Sequence, residues 1–134
     1  MRRYARVLET LNDAGLRPTR QRLALAKLMF GAGDRHLTAE GLHAEAMREG
    51  VRVSLATVYN TLHQFTDCGL LREISVGSRR SYFDTNTSYH HHFYFEKSGS
   101  LKDIPPEEVV IARLPSAPDG TTVKSVDVVV RVGD

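Results

Sequence analysis

The stretch "VSLATVYNTLHQFTDCGLL", residues 53–71, decides the fold of the first half of the chain. Its apolar side chains recur at the three- and four-residue spacing of one helix face. They are Leu55, Val58, Leu62 and Phe65. Ser54 precedes them in the position of an N-cap, and Gly69 follows them in the position of a helix terminator. The segment therefore predicts a helix with an apolar inner face, whose first turns expose polar groups.

Three earlier segments show the same pattern. Residues 1–15, 17–33 and 36–50 each combine apolar residues at helical spacing with a glycine at the end of the run. Thr19 and Thr38 stand at the N-cap positions of the second and third segments. The first 69 residues therefore predict four short helices.

Residues 70–84, "LLREISVGSRRSYFD", change to the two-residue period of strands. Apolar residues lie on both sides of a turn predicted at Gly77–Ser78, which indicates a β-hairpin. Short helices followed by such a hairpin are typical of the winged helix-turn-helix, in which one helix enters the major groove of DNA. We predict a winged-helix DNA-binding domain over residues 1–84, with the helix after Ser54 as its recognition helix.

The polar segment "TNTS" predicts a hinge at residues 85–88, followed by a second domain over residues 89–134. In that domain we expect a short helix beginning in residues 105–114, together with three strands. The strands are expected in residues 90–96, 100–104 and 121–132. So small a domain has little core of its own, so we expect it to pair with a second copy. The predicted fold class is α+β: an N-terminal winged helix-turn-helix plus a small C-terminal α/β dimerisation domain.

Composition limits the possible partners and the location of the protein. Residues 1–80 carry 13 Lys and Arg against 8 Asp and Glu, whereas residues 81–134 carry 5 against 8. A basic first half suggests a polyanionic partner such as double-stranded DNA. No apolar stretch approaches the roughly 20 residues of a membrane span, and no signal peptide is expected. The single Cys68 cannot form an internal disulfide, which fits a cytoplasmic location.

Ten residues are candidates for DNA contacts. They lie in the first turns of the recognition helix, at the start of an earlier helix, and beside the hairpin turn, where hydroxyl, amide and guanidinium groups meet phosphates or base edges. The candidates are Arg17, Thr19, Arg20, Arg22, Ser54, Thr57, Tyr59, Asn60, Arg79 and Arg80.

Three consecutive histidines open the second domain in "SYHHHFYFEKSGSLKDI", residues 88–104. In an extended chain His90 and His92 point to one face, about 6.5–7 Å apart along the strand, and His91 points to the other. Imidazole suits iron, zinc, manganese and haem iron. His90 and His92 can therefore share one small ion, but they cannot lie on opposite sides of one haem iron.

Several motifs resemble the ferric uptake regulator (Fur) family in their order and spacing. They are "GLRPTRQR", "HLTAEGLH", "VSLATVYNTLHQFTDCGLL" and "FD" followed by "HHH", within roughly residues 10–105. The resemblance implies a dimeric, metal-responsive transcription regulator with a winged helix, a hinge and an α/β dimerisation domain. It also implies that Tyr59, in "ATVY", lies on the recognition helix.

The resemblance implies a regulatory Mn²⁺ or Fe²⁺ site that bridges the two domains. Its expected ligands are His36, Asp84, His90 and His92, although a one-residue ambiguity leaves His91 open as the ligand. Asp103 and Glu108 are weaker carboxylate candidates for a second site. Such an ion would fix the spacing of two recognition helices in a dimer.

The cysteines of the family's structural zinc site are missing. Their positions fall at about Phe95 and Ser98, and one cysteine cannot form a Cys₄ site, so we expect no structural zinc. The histidine run without cysteines is similar to the iron response regulator (Irr) branch of the family. That resemblance implies haem as effector, bound at His90, His91 and His92.

We therefore predict a dimeric transcription regulator of iron and haem metabolism that binds an operator of two-fold character and responds to haem, to a divalent ion or to both. The alternative is a Fur-type repressor that senses manganese, iron or zinc without a haem response. An enzyme is disfavoured because no HExxH motif, nucleophile elbow or P-loop is present.

Overall fold

The computed structural model describes residues 2–77 and 79–133, with side chains from residue 5 onward. The chain divides into two compact units, Met1–Thr87 and Ser88–Asp134. Ser78, the second residue of the predicted hairpin turn, lies outside the described residues. None of the helices that the structure describes is both long enough and apolar enough to cross a membrane.

Four helices form most of the first unit: α1 (Arg2–Asp13), α2 (Arg20–Phe30), α3 (Ala39–Arg48) and α4 (Leu55–Asp67). The predicted caps of the last three are present. The hydroxyls of Thr19, Thr38 and Ser54 each accept a hydrogen bond from a backbone N–H in the first turn of the helix that follows. Gly69 follows the end of α4 with φ of +81°, a backbone conformation that favours glycine.

A three-stranded antiparallel sheet completes the first unit, in the order β1–β3–β2. The hairpin strands are β2 (Arg72–Ser75) and β3 (Ser81–Asp84). The third strand, β1 (His36–Leu37), is only two residues long and pairs His36 with Asp84. The sequence predicts no strand at His36. Its backbone nevertheless pairs at the edge of this three-stranded sheet, opposite Asp84.

The interior of the first unit is apolar. Side chains from all four helices and from the sheet form one buried cluster, which includes Leu11, Met29, Leu42, Phe65 and Phe83. Burial of such side chains stabilises a fold by about 1.5–3 kcal/mol each. The cluster fixes α4 against α3 and against the sheet, and so fixes which face of α4 is exposed.

The second unit is a three-stranded sheet in the order β5–β4–β6. Its strands are β4 (His91–Phe95), β5 (Ser100–Ile104) and β6 (Val129–Val132). Strand β4 is central: it pairs antiparallel with β5 and parallel with β6. The first two expected strands are therefore present, whereas the third is limited to its last four residues.

The predicted short helix is mostly absent. Only one 3₁₀ turn forms, at Pro106–Glu108, and residues 109–128 contain no other helix or strand. Val110 is 86% exposed and Leu114 is 54% exposed. An amphipathic helix gains most of its stability from packing one face against a partner. These side chains are not buried within the unit, so this source of helix stability is missing.

Candidate metal centre and nucleic-acid interface

The exposed N-terminus of α4 carries a network of hydroxyl groups. The Ser54 hydroxyl donates to the Thr57 hydroxyl (2.9 Å) and accepts from the Thr57 backbone N–H (3.0 Å). Asn60 is exposed one turn further along the helix. The hydroxyls hold the first turn of α4 in shape, and the positive end of the helix favours a phosphate there.

Tyr59 is held from several sides. Its ring packs against the apolar core and stacks on His63, with ring centroids 6.4 Å apart. Its hydroxyl donates to a carboxylate oxygen of Glu40 at 3.0 Å. This hydrogen bond is the main reason that the pKa of Tyr59 is raised, and the charge of Arg80 partly opposes the effect. Glu40 is not among the predicted DNA contacts. Its position on a charged helix face, three residues before His43, gives no specific signal for such a role.

Arg22 contacts the protein itself. Its Nε donates to the Gln64 side chain (3.1 Å), and one terminal nitrogen donates to the Arg17 carbonyl (2.6 Å). The bond to Gln64 ties α2 to α4, the bond to Arg17 holds the segment before α2, and the Arg22 side chain is half-buried. The sequence predicts Arg22 as a DNA contact, whereas in the structure its guanidinium bonds to other groups of the first unit.

The remaining candidate arginines lie on the surface: Arg17, Arg20, Arg79 and Arg80 are exposed. Arg20 lines a cleft of about 420 Å³ together with Gln21 and Arg52. The Gln21 side chain donates to the Arg52 carbonyl (3.1 Å) and so holds the loop before α4 against α2. Arg52, two residues before the N-cap, is a basic residue that we did not single out.

A second groove, of about 260 Å³, separates the start of α2 from the exposed face of α4. Candidate residues line both sides of it. Its lining consists of Thr19, Gln21, Arg22, Thr57, Asn60, Thr61 and Gln64. The groove is therefore rich in hydroxyl and amide groups, which contact phosphates and base edges in DNA complexes.

A histidine and an aspartate face each other at the edge of the wing sheet. The Nε2 of His36 lies 3.3 Å from Oδ2 of Asp84, which is buried. The other carboxylate oxygen of Asp84 accepts from the Asn86 backbone N–H at 2.9 Å. The pair owes its geometry to the β1–β3 rung that no periodicity in the sequence indicated.

Arg35 fixes the strand that carries His36. Its guanidinium donates to both carboxylate oxygens of Glu45, at 2.7 and 3.1 Å, and to the Leu28 carbonyl at 2.8 Å. Its backbone N–H donates to the Thr85 hydroxyl (2.8 Å), and its carbonyl accepts from the Thr85 N–H (3.0 Å). The pairing of β1 with β3 therefore continues one rung beyond His36 and Asp84.

In the second unit, two of the three histidines face one carboxylate. The Nε2 atoms of His90 and His92 lie 3.3 and 3.4 Å from the same oxygen of Asp103. Their rings are 4.6 Å apart, and Asp103 pairs with His92 across β4 and β5. His90, His92 and Asp103 thus offer three donor atoms within 4.8 Å of one another.

The hydrogen bonding of His90 orients its ring for ligation. Its Nδ1 lies 2.6 Å from the carbonyl of Ser88, and a carbonyl can only accept, so Nδ1 carries the proton. In the neutral ring, Nε2 then presents a lone pair to the carboxylate oxygen of Asp103. Ligands held about 2.1 Å from one ion lie roughly 3.0–3.4 Å apart, which matches the separations of these donors. A histidine whose second nitrogen donates to a carbonyl is also the usual arrangement around a metal.

His91 points to the other side of the strand. It is 0% exposed, and its Nδ1 accepts from the Val128 backbone N–H at 3.1 Å. The Tyr89 ring meets it edge-on, with centroids 4.9 Å apart. His91 therefore joins β4 to the segment before β6 and is not among the clustered donors.

Two further residues stand apart from the donors. Glu108 is exposed in the 3₁₀ turn. Cys68 is partly buried, and burial, with the Asp67 charge, raises the pKa of its thiol. A raised pKa leaves less of the reactive thiolate at neutral pH. The donors in both units are therefore imidazoles and carboxylates, a set that suits Mn²⁺, Fe²⁺ or Zn²⁺ without a thiolate.

Residues 13–131 match the model of the ferric uptake regulator family. The chain belongs to that family. It is 34% identical over 97 residues to the peroxide-responsive repressor PerR of Staphylococcus epidermidis. The match covers 72% of this chain and 64% of that relative, so the chain spans slightly under two thirds of the relative's length.

Solved structures of the family share the fold. The ferric uptake regulator of Vibrio cholerae superimposes with a TM-score of 0.73 at 21% identity, covering 94% of this chain and 98% of that one. The regulator of Pseudomonas aeruginosa with manganese gives 0.70 at 24% identity, covering 92% and 94%. The α+β fold class and the Fur-family resemblance are confirmed. The family is one of regulators, which agrees with the expectation that the chain is not an enzyme.

Proposed function

We propose that the chain is a metal-responsive transcription repressor, in which a divalent ion controls the binding of the winged-helix unit to operator DNA. The observation that carries the proposal is the cluster of His90, His92 and Asp103, with His90 oriented by the Ser88 carbonyl. Three donors at ligand separation, built from a strand pair and a local hydrogen bond, suit a small cation. The relatives named as repressors support the sign of regulation.

We propose that the same ion also takes His36 and Asp84 as ligands. The support is the number of donors: three in the second unit and two in the first give five, and one further ligand would complete the octahedral coordination of Mn²⁺. An ion with ligands from both units would restrict their relative orientation, which is how metal would act on DNA binding. His91 serves as a structural residue in this proposal.

The DNA-binding role rests on the first unit. The N-terminus of α4, the groove beside it and the arginines of the wing offer hydrogen-bond donors and positive charge within one folded unit. We propose that α4 lies in the major groove of a double-stranded operator. Because the operator is expected to have two-fold character, we propose that two copies bind it, paired through their second units. A protein that binds chromosomal DNA works in the cytoplasm, where a single free cysteine stays reduced.

A haem response, as in the Irr branch, remains the finer prediction from the histidine run. The three imidazoles are all buried, and each already contacts a neighbouring carboxylate or backbone group. A haem iron would have to displace one of these contacts. We therefore propose a divalent ion as the effector, and the binding titration described below also includes haemin.

A response to peroxide is a second candidate, favoured by the names of the relatives. Fe²⁺, if bound at the proposed site, would supply one-electron chemistry with peroxide that Mn²⁺ would supply far less readily. The raised pKa of the Cys68 thiol makes that residue a poor sensor, so any response would depend on the metal. Peroxide should release the iron-loaded protein from DNA and leave the manganese-loaded protein bound.

The deciding experiment is a binding titration on an iron-regulated promoter with metal-free protein, to which Mn²⁺, Fe²⁺, Zn²⁺ or haemin is added separately. We expect tight binding only with a divalent ion, and an affinity that falls steeply as salt rises. Equal affinity with and without metal would overturn the proposal.

A pair of charge-matched variants locates the site. Asp103→Asn removes a proposed ligand, whereas Glu107→Gln makes the same charge change at an exposed residue of the same unit. We expect Asp103→Asn to weaken Mn²⁺ binding about tenfold or more and Glu107→Gln to leave it unchanged. Equal Mn²⁺ affinity in the two variants would refute the assignment of Asp103.

A further inference from the structure

The exposed face of the first unit contains one acidic side chain bonded directly to the recognition helix. Glu40 lies in the first turn of α3, yet its carboxylate accepts the hydroxyl hydrogen bond of Tyr59 on α4 at 3.0 Å. An acid here is unexpected on charge grounds, because the surrounding surface is that of a basic unit expected to meet phosphates.

The contact leaves Tyr59 with little freedom. One edge of the ring packs on the apolar core, one face stacks on His63, and the hydroxyl is bonded to Glu40. Tyrosine has only two side-chain torsions, so these contacts fix it in one orientation before DNA arrives. A side chain that is already ordered loses little entropy when it binds.

The Glu40 charge has a second consequence. The carboxylate is exposed, and its partner Tyr59 is close enough to Arg80 for that charge to act on the phenol. A negative charge among the arginines that meet the phosphate backbone repels any duplex, whatever its sequence. The repulsion weakens binding to the operator and to other duplexes alike, so the sequence preference that Glu40 confers has to come from its hydrogen bond to Tyr59.

We propose that Glu40 is a specificity determinant of operator recognition: it positions Tyr59 through the hydroxyl hydrogen bond and keeps one negative charge in the DNA-facing surface. The inference rests on the proposed function, since it assumes that α4 reads operator DNA. Glu40 acts through Tyr59 and is therefore a positioning residue.

Three variants separate the two effects. Glu40→Gln keeps an oxygen that accepts from Tyr59 but removes the charge. Glu40→Ala removes both the accepting oxygen and the charge, and Tyr59→Phe removes only the tyrosine hydroxyl. Glu49→Gln is the matched control, because Glu49 is an exposed acid at the opposite end of the same helix.

The measurement is the affinity of manganese-loaded protein for an operator and for a scrambled duplex of equal length, across a range of salt. We expect Glu40→Gln to bind both duplexes roughly two- to tenfold more tightly, with a salt slope steeper by about one, because the removed charge repels any duplex. Relative to Glu40→Gln, Glu40→Ala should lose roughly two- to tenfold in operator affinity and leave the affinity for the scrambled duplex unchanged, because Tyr59 is no longer held.

Coupling between the two residues tests the positioning role. If Glu40 acts through Tyr59, the double variant Glu40→Ala with Tyr59→Phe should bind the operator no more weakly than Glu40→Ala alone. Fully additive losses would overturn the positioning role. Far-UV circular dichroism checks that each variant is folded, and Glu40→Gln carries the test of charge if Glu40→Ala is not.

The outcomes also distinguish a failure of the inference on Glu40 from a failure of the proposed function, metal-dependent operator binding. If wild-type protein binds the operator in a metal-dependent way, but all Glu40 variants match Glu49→Gln in affinity, ratio and slope, the inference on Glu40 is wrong and the proposed function stands. If wild-type protein does not distinguish the operator from the scrambled duplex, both are overturned.

Discussion

The two units differ in what fills their interiors. In the first, apolar side chains such as Leu25, Leu62 and Phe65 form a continuous buried cluster. In the second, the buried side chains among the described residues are three histidines and Ile104. Imidazoles cost free energy to bury unless their nitrogens are bonded, so the second interior depends on specific polar partners.

This difference suggests different sources of stability. Apolar burial stabilises the first unit without any ligand. In the second unit, His90 and His92 converge on Asp103, and a cation between them would satisfy all three groups at once. We infer that the first unit folds largely by its own core, whereas the second gains order from an ion and from a partner that covers residues such as Val110.

The largest expected effect tests the apolar interior. Phe65→Ala removes a fully buried ring and should lower the free energy of unfolding by about 3–5 kcal/mol. Ile104→Ala should cost less, about 2 kcal/mol, because fewer buried apolar groups surround it. Urea denaturation of metal-free protein followed by circular dichroism measures both. A larger loss at Ile104 would contradict the contrast between the units.

The next prediction tests the polar interior. Mn²⁺ at about 100 times its Kd should stabilise the protein by about 2.7 kcal/mol. Hydrogen exchange should slow in peptides from β4 and β5, while peptides from the middle of α2 serve as the internal control. Unchanged exchange in β4 on metal binding would show that the histidines do not hold the ion.

Local sequence signals predicted the first unit well. Thr19, Thr38 and Ser54 cap helices as expected, because a cap needs only the side chain and the three residues that follow it. The two-residue strand at His36 was not predictable, since it exists only through pairing with Asp84, 48 positions along the chain. The contact of Glu40 with Tyr59 was not predictable for the same reason, because helical periodicity does not show which exposed side chains of two helices meet.

In the second unit the sequence placed β4 and β5 and the alternation of the three histidines. It predicted too much structure after Pro106. The apolar run at residues 109–111 resembles the start of a helix, but Val110 is largely exposed and so gains little from packing. The alternation already predicted that His90 and His92 share one face, whereas the position of Asp103 opposite His92 followed only from the register of β4 with β5.

A smaller effect is expected from Arg35, whose hydrogen bonds hold the strand that carries His36. Arg35→Ala removes the bonds to Glu45 and Leu28 that anchor β1, and should weaken Mn²⁺ binding by roughly 10- to 100-fold if His36 is a ligand. Arg48→Ala removes an exposed arginine of α3 and serves as the control. Calorimetric titration measures both, and equal affinities would remove His36 from the ligand set.

The smallest effect concerns the thiol of the first unit. Burial raises the pKa of Cys68, and the Asp67 charge adds to this, while Arg22 opposes it. The folded state therefore favours the neutral thiol. This stabilising contribution is complete below the ordinary thiol pKa, near 9.0, and is lost as the pH rises through the raised value.

Iodoacetamide should consequently react with Cys68 more slowly in the folded protein at pH 8 than in the same protein unfolded in urea. Mass spectrometry of the alkylated chain measures both rates. Equal rates would mean that the folded protein does not protect the thiol. Peroxide could then oxidise Cys68 of the first unit directly. A slow reaction of the folded protein would leave the proposed metal site, rather than the thiol, as the place where oxidation is sensed.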